Sequence, residues 1–163
     1  MNRPLSLGEQ RLLLFSVFVV SLCGITYELV LGSLATYLLG NPVQQYSITI
    51  GVFLSSMGLG SYLSRFITRD LIKNFIRIEI FLGLAGGVSV LVLSYFFATN
   101  YSYHILNLFF LLLIGVLVGL EIPLLTRILR GSGNLKEVLS NVLSLDYLGG
   151  LAGSLLLPLL LFP

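Results

Sequence analysis

Three carboxylates stand inside stretches built otherwise of aliphatic, aromatic and small residues: Glu28 in TYELVLG, Glu121 in GLEIPLL and Asp146 in LDYLGGL. An acid held away from water is costly unless it faces other protein or a wet cavity, so each is a candidate site. Glu121 is the sharpest case, because Pro123 follows two residues later. Proline has no N–H, so the carbonyl of Gly119 loses its helical donor and becomes available, within one turn of the carboxylate, to a cation or a water. That combination suits an amine or a simple cation, as unwound segments do in secondary transporters. The competing reading is a structural kink whose acid pairs with Arg127. Glu28 and Asp146 divide in the same way, between cation ligands and satisfied polar groups in the packing.

The elements that must carry these acids follow from composition. The chain has 163 residues, of which 56% are hydrophobic and only 10% charged, with a mean hydropathy of +1.01. Values this far from those of soluble domains indicate an integral membrane protein. A bilayer core about 30 Å thick needs roughly 20 apolar residues per helix. That ruler places five spans near residues 12–38, 46–66, 75–98, 104–128 and 138–162. The apolar runs are continuous rather than alternating, which favours helices over barrel strands, so the expected fold is all-α, a polytopic bundle with no soluble domain. The opening MNRPLSLGEQR resembles the start of a signal peptide, but the run behind it is long enough to be a retained first span.

Charge orients the bundle. Arg3 and Arg11 precede the first span, Arg65, Arg69, Lys73 and Arg77 surround the second loop, and Arg127, Arg130 and Lys136 flank the fourth; GNPVQQYS and ATNYSYH have no Lys or Arg. The positive-inside rule then puts the N-terminus in the cytoplasm and the chain in the cytoplasmic membrane as a multi-pass protein. Tyr37, Tyr46, Tyr95, Tyr101 and Tyr103 fall near the outer boundary, where they are expected to act as headgroup-level anchors. His104 shares that boundary as a solvated residue without a role. Glu79 is expected at the start of the third span, near the cytoplasmic surface, where the helix dipole favours it. Cys23, the single cysteine, reads as a packing residue. Five spans leave Pro163 outside with no polar tail, which suggests a piece of something longer. The net charge of +2, spread over short loops, argues against a nucleic-acid partner.

Membrane helices associate where small residues let backbones approach. Gly83 and Gly87, Gly115 and Gly119, and Gly149 and Gly153 each form a GxxxG pair, Ser56, Gly60 and Ser64 form a similar row, and Gly24 and Gly32 flank Glu28 at helical spacing. Glu28 and Asp146 therefore lie on close-contact faces. Glu121 lies about 120° or more from the Gly115 and Gly119 face, which leaves its direction open. The glycine faces could hold the bundle together or join copies into a homo-oligomer.

Shifting the chain by 93 positions superposes Glu28 on Glu121, Gly40-Asn41 on Gly133-Asn134, Ser47 on Ser140 and Gly60-Ser61 on Gly153-Ser154 without a gap. An odd unit of three spans would make the two copies antiparallel, a truncated 3+3 inverted repeat of the kind found in secondary transporters. Chance matching of common membrane residues is the alternative.

The order of CGITYELVLGSLATYLLGNPVQQYSITIGVFLSSMGLGS, LIGVLVGLEIPLLTRIL and LSLDYLGGLAGSLLLPLLL resembles the membrane region of the membrane-bound polyamine aminopropyltransferases, the spermidine synthase family, from about Leu22 to Pro163. The resemblance implies a membrane module attached to a cytoplasmic Rossmann-like domain that transfers an aminopropyl group from decarboxylated S-adenosylmethionine to putrescine. These 163 residues contain no strand leading into a glycine-rich turn and no acid placed for a ribose. No catalytic residue, cofactor or metal ligand can therefore be assigned here, and the chain alone is not expected to catalyse the transfer. Three roles fit: a module that localises a polyamine synthase to the membrane and binds polyamine, a polyamine or small-cation transporter module, or an oligomerising scaffold in the lipid bilayer.

Overall fold

The computed structural model describes residues 6–98, 103–130 and 134–160. Arg3, Tyr101, Gly133 and Pro163 lie outside the described residues, so the readings that rest on them are not addressed. Five helices make up the described residues: α1 Leu7–Leu39, α2 Pro42–Leu63, α3 Leu71–Ala98, α4 Tyr103–Leu129 and α5 Leu135–Leu160, with a short 3-10 turn at Ser64–Phe66. No strand occurs among the described residues. All five helices are long and apolar enough to cross a membrane by length and composition.

Each helix starts earlier than the apolar runs suggested, because polar residues build the first turns. Ser6 caps α1 reciprocally with Glu9: the Glu9 N–H donates to Ser6 Oγ at 3.3 Å, and the Ser6 N–H donates to Glu9 Oε2 at 2.7 Å. Gly40 closes α1 at φ 75°, donating its N–H to the Thr36 carbonyl. Asn41 then caps α2 in the left-handed region at φ 49°, with Pro42 in the first turn. Two residues thus reverse the chain between α1 and α2. At the opposite end Asp70, also at φ 49°, precedes α3, and its carbonyl accepts from the Asn74 N–H.

The central element is α4. Of its most apolar window 56% is buried, against 22–28% for the other four helices. The two most extensive interfaces are α2 with α4 and α1 with α5, and α3 covers a further side of α4. Outward faces remain apolar: Phe15, Leu54, Leu91, Leu151 and Leu159 are all more than half exposed.

Glycines set both main interfaces. A Cβ on Gly60 would run into the Val116 carbonyl, one on Gly119 into the Met57 carbonyl, and one on Gly115 would stand 2.6 Å from Ser56 Cβ. Between α1 and α5, a Cβ on Gly149 would strike the Phe18 carbonyl and one on Gly153 would lie 2.6 Å from the Leu22 carbonyl. Ser56, Gly60 and Ser64 are all buried on this pattern. These faces are therefore consumed inside the chain.

The Gly83 and Gly87 pair is a correction. Nothing lies within 4 Å of a Cβ at either position; Gly86 is the contact residue, seated under the Tyr27 ring. The buried face of α3 runs through Phe75, Ile78, Leu82, Gly86, Ser89 and Leu93, and Gly83 and Gly87 sit about 100° or more round the helix from it. Spacing alone cannot choose between glycine pairs on different faces. The tyrosines divide too. Tyr37 and Tyr95 are exposed, whereas Tyr46 packs on Gly32 and shares a 2.7 Å hydrogen bond with Ser33, and Tyr103 is buried against Phe97. Tyr46 and Tyr103 are thus packing residues first. His104 is exposed, in the first turn of α4.

Candidate functional site: an internal carboxylate cluster

Helix α4 delivers Glu121 to the interior. Its Gly115 and Gly119 face is pressed against α2, and the opposite side, which carries Glu121, meets α1, α3 and α5 rather than open surface. Glu121 is only 1% exposed. The helix continues through Pro123 to Leu129, so the proline does not break the element. Leu120, Leu124 and Leu125 around it are buried as well.

Two other acids share electrostatic reach with Glu121. These are Glu79 on α3 and Asp146 on α5. Cys23 on α1 lies within reach of both Glu79 and Glu121. Asp146 is held in place by its own backbone: Ser21 Oγ on α1 donates to the Asp146 carbonyl at 2.6 Å, where Gly149 brings α5 close to α1. Cα approach at the glycines is what lets a short serine side chain span the two helices.

Glu79 was not singled out as a site in the sequence. It is the ninth residue of α3, which begins at Leu71, so it lies two turns inside the helix rather than at its start. Its Oε1 is buried. The signal was present in the spacing: Glu79 is four residues after Phe75 and three before Leu82, both core residues, and so sits beside the inward face.

Glu28 stays apart. It is half-buried on α1 and is not among the acids within electrostatic reach of Glu121. Its neighbours Gly24 and Gly32 approach Val118 on α4 and Tyr46 on α2, at 3.3 Å and 3.0 Å from a built Cβ. The acids within electrostatic reach of Glu121 are therefore Asp146 and Glu79 rather than Glu28.

The expected ion pair between Glu121 and Arg127 is not made. Arg127 Nη2 donates instead to the carbonyls of Ser64 at 2.8 Å and Ile67 at 2.7 Å. Six residues along a helix place the two side chains about 120° apart and about 9 Å along the axis, which separates them. The end of α2 also leaves carbonyls without helical donors, and a guanidinium is well suited to collect them. Lys73 pairs with Asp70 at 3.8 Å on the surface.

Glu121 Oε1 and Glu79 Oε1 are buried and meet no hydrogen-bond partner among the described residues. Unpaired buried carboxylate oxygens are costly, and a carboxylate brought near two others is costlier still. No three His, Cys, Asp or Glu side chains among the described residues converge closely enough to hold a metal ion. The three carboxylates are thus spread over three helices.

Long apolar helices wrapped round one buried helix, with carboxylates turned inward from three of them, define an all-α bundle with an internal acidic site. Its relatives are polyamine aminopropyltransferases. The chain is 47% identical over 154 residues to the polyamine aminopropyltransferase of Leptospira interrogans, covering 94% of this chain and 31% of that protein. It is 48% identical over 155 residues to polyamine aminopropyltransferase 2 of Ralstonia nicotianae, covering 93% and 30%. Polyamine aminopropyltransferase 2 of Aquifex aeolicus matches at 44% over 150 residues, covering 90% and 30%. The chain is accordingly related to the polyamine aminopropyltransferases and spans about a third of the length of these relatives. It matches no protein-family profile and no solved structure.

Proposed function

We propose that this chain is the membrane-embedded region of a polyamine aminopropyltransferase, and that its internal carboxylates bind the ammonium groups of a polyamine. Relatedness to those enzymes supports the first part, together with five helices of spanning length whose outward faces are apolar. The observation that carries the second is Glu121: 1% exposed, within reach of two further acids, with a buried oxygen that meets neither donor nor cation among the described residues. A protonated amine would supply both the missing charge and the missing donors. Aminopropyl transfer, on this reading, belongs to the two thirds of the relatives outside the matched region. On this reading the end where the basic residues gather is cytoplasmic, and Glu121 belongs to the inner half of the bilayer.

The test is binding of labelled putrescine or spermidine to the full chain in proteoliposomes. Glu121→Gln should weaken binding at least about tenfold, the scale of one charge-assisted hydrogen bond in a desolvated site. Equal binding by wild type and variant would overturn the amine site. Recovery of the protein in the soluble fraction without detergent would overturn the membrane reading instead.

A specific observation also favours the inverted repeat. The 93-residue shift exchanges α1 with α4 and α2 with α5, and so should exchange the α1–α5 interface with the α4–α2 interface. These are the two most extensive interfaces. Their registers agree closely: Gly153 meets the Leu22 carbonyl, and the shift carries that contact to Gly60 with Gly115, one residue from the observed Val116. An experimental structure should superpose α1–α2 on α4–α5 by a rotation near 180°; a rotation far from that value would remove the repeat.

A further inference from the structure

We infer that the cleft between the turn after α2 and the first turns of α3 is a binding site for the phosphate headgroup of an anionic phospholipid. The inference rests on the membrane reading above. The cleft has a volume of about 560 Å³ and joins the polar side chains of Thr68, Arg69, Asn74 and Arg77 to an apolar lining of Phe66 and Ile67 on the turn and Ile78, Phe81 and Leu120 on the helices. On α3 the sequence Asn74, Arg77, Ile78, Phe81 follows helical spacing along one face, passing from amide and guanidinium to aliphatic and aromatic groups within about 10 Å. That is the length over which a phospholipid changes from headgroup to acyl chain.

The cations are available. Neither Arg69 nor Arg77 has a carboxylate within ion-pair distance among the described residues, and the nearby Asp70 is engaged by Lys73. Asn74 Nδ2 donates to the Arg69 carbonyl at 2.9 Å and so braces the loop from which Arg69 projects. The opposite wall is fixed from below, where Arg127 ties the Ser64 and Ile67 carbonyls to α4. Phe81, 64% exposed, leaves the apolar lining open to the side of the bundle, where acyl chains would lie. Guanidinium forks match phosphate oxygens bidentately. Basic pockets at the cytoplasmic ends of membrane helices are suited to anionic headgroups for these reasons.

The experiment uses the full chain in nanodiscs of equimolar phosphatidylcholine and phosphatidylglycerol, with retained lipid identified by native mass spectrometry after mild detergent release. Wild type should retain phosphatidylglycerol over phosphatidylcholine by about tenfold, and Arg69→Gln with Arg77→Gln should abolish the preference. Lys136→Gln, which changes the same charge at an exposed position outside the cleft lining, should leave the preference intact. No preference in wild type, or an equal preference in the double variant, would overturn the site. Displacement of the lipid by millimolar inorganic phosphate would assign the cleft to a soluble phosphate and overturn the lipid. A chain that enters neither these nanodiscs nor pure phosphatidylcholine ones would instead count against the membrane reading, which separates the two failures.

Discussion

Gly24 on α1 sits against Val118 on α4, where a Cβ on the glycine would stand 3.3 Å from Val118 Cγ2. The helices cross there in opposite directions. Glu28 lies four residues beyond Gly24 toward one end, and Glu121 three residues beyond Val118 toward the other, which separates the two acids by about 10 Å along the bundle. Residues that correspond under the 93-position shift are thereby placed on opposite sides of the crossing. The acid that does join Glu121 from the first half of the chain is Glu79.

Glu28→Gln and Glu121→Gln should consequently behave differently. Amine binding in proteoliposomes should fall about tenfold or more for Glu121→Gln and change less than about twofold for Glu28→Gln. Glu79→Gln should fall between them, because Glu79 is only half-buried. Equal losses for Glu28→Gln and Glu121→Gln would show that the two acids share one site after all.

Without a ligand, Glu121→Gln should raise the thermal midpoint. Replacing an ionisable group that has no countercharge by a neutral amide of the same volume removes the desolvation and repulsion that oppose its ionised form. A gain of about 1 kcal/mol corresponds to about 2–4 °C for a chain of this size. Thermal unfolding in detergent, followed by circular dichroism, gives the sign; a lower midpoint would mean that Glu121 has a partner it needs.

Glycine replacements should sort by face rather than by motif. Gly60→Ala and Gly119→Ala put a methyl group into a backbone carbonyl of the facing helix, which cannot move aside as a side chain tip can, and should cost about 1–3 kcal/mol. Gly83→Ala and Gly87→Ala meet nothing and should be neutral or stabilise by up to about 1 kcal/mol through helix propensity. Unfolding midpoints in one detergent decide between these outcomes.

Arg127→Ala should loosen the Ser64–Asp70 stretch without disturbing amine binding. Two carbonyls lose a charged donor, which is worth about 1.5–3 kcal/mol per bond at most. Hydrogen exchange should rise across residues 64–70, and amine affinity should stay within about twofold. A large loss of affinity would restore the link between Arg127 and Glu121 that the geometry separates.

Much of the architecture was legible in the chain. Unbroken apolar runs of spanning length admit few folds, because long runs without alternation bury backbone polar groups only as helices. Gly115, Gly119, Gly149, Gly153 and the Ser56, Gly60, Ser64 row were also legible, since a bare backbone at helical spacing has value only where another helix approaches. The edge of the apolar run puts Glu79 at a helix start, whereas the helix begins four residues before that run, with Leu71, Ile72, Lys73 and Asn74, which carries Glu79 inward. Tyr46 and Tyr103 were read by depth alone, and depth carries no information about rotation.

Composition and period together establish an all-α chain whose inward acids need partners, because hydrophobicity and helical spacing are local properties. The identity of each partner is not local. It depends on how each helix is rotated and where it crosses its neighbours, and here close contact at Gly60, Gly115 and Gly119 pins one side of α4 to α2. Being enclosed on its other sides as well, α4 turns Glu121 toward Glu79 and Asp146 and leaves Arg127 to the end of α2. A helical wheel shows that Glu121 and Gly119 point apart; only the surrounding helices make both directions interior.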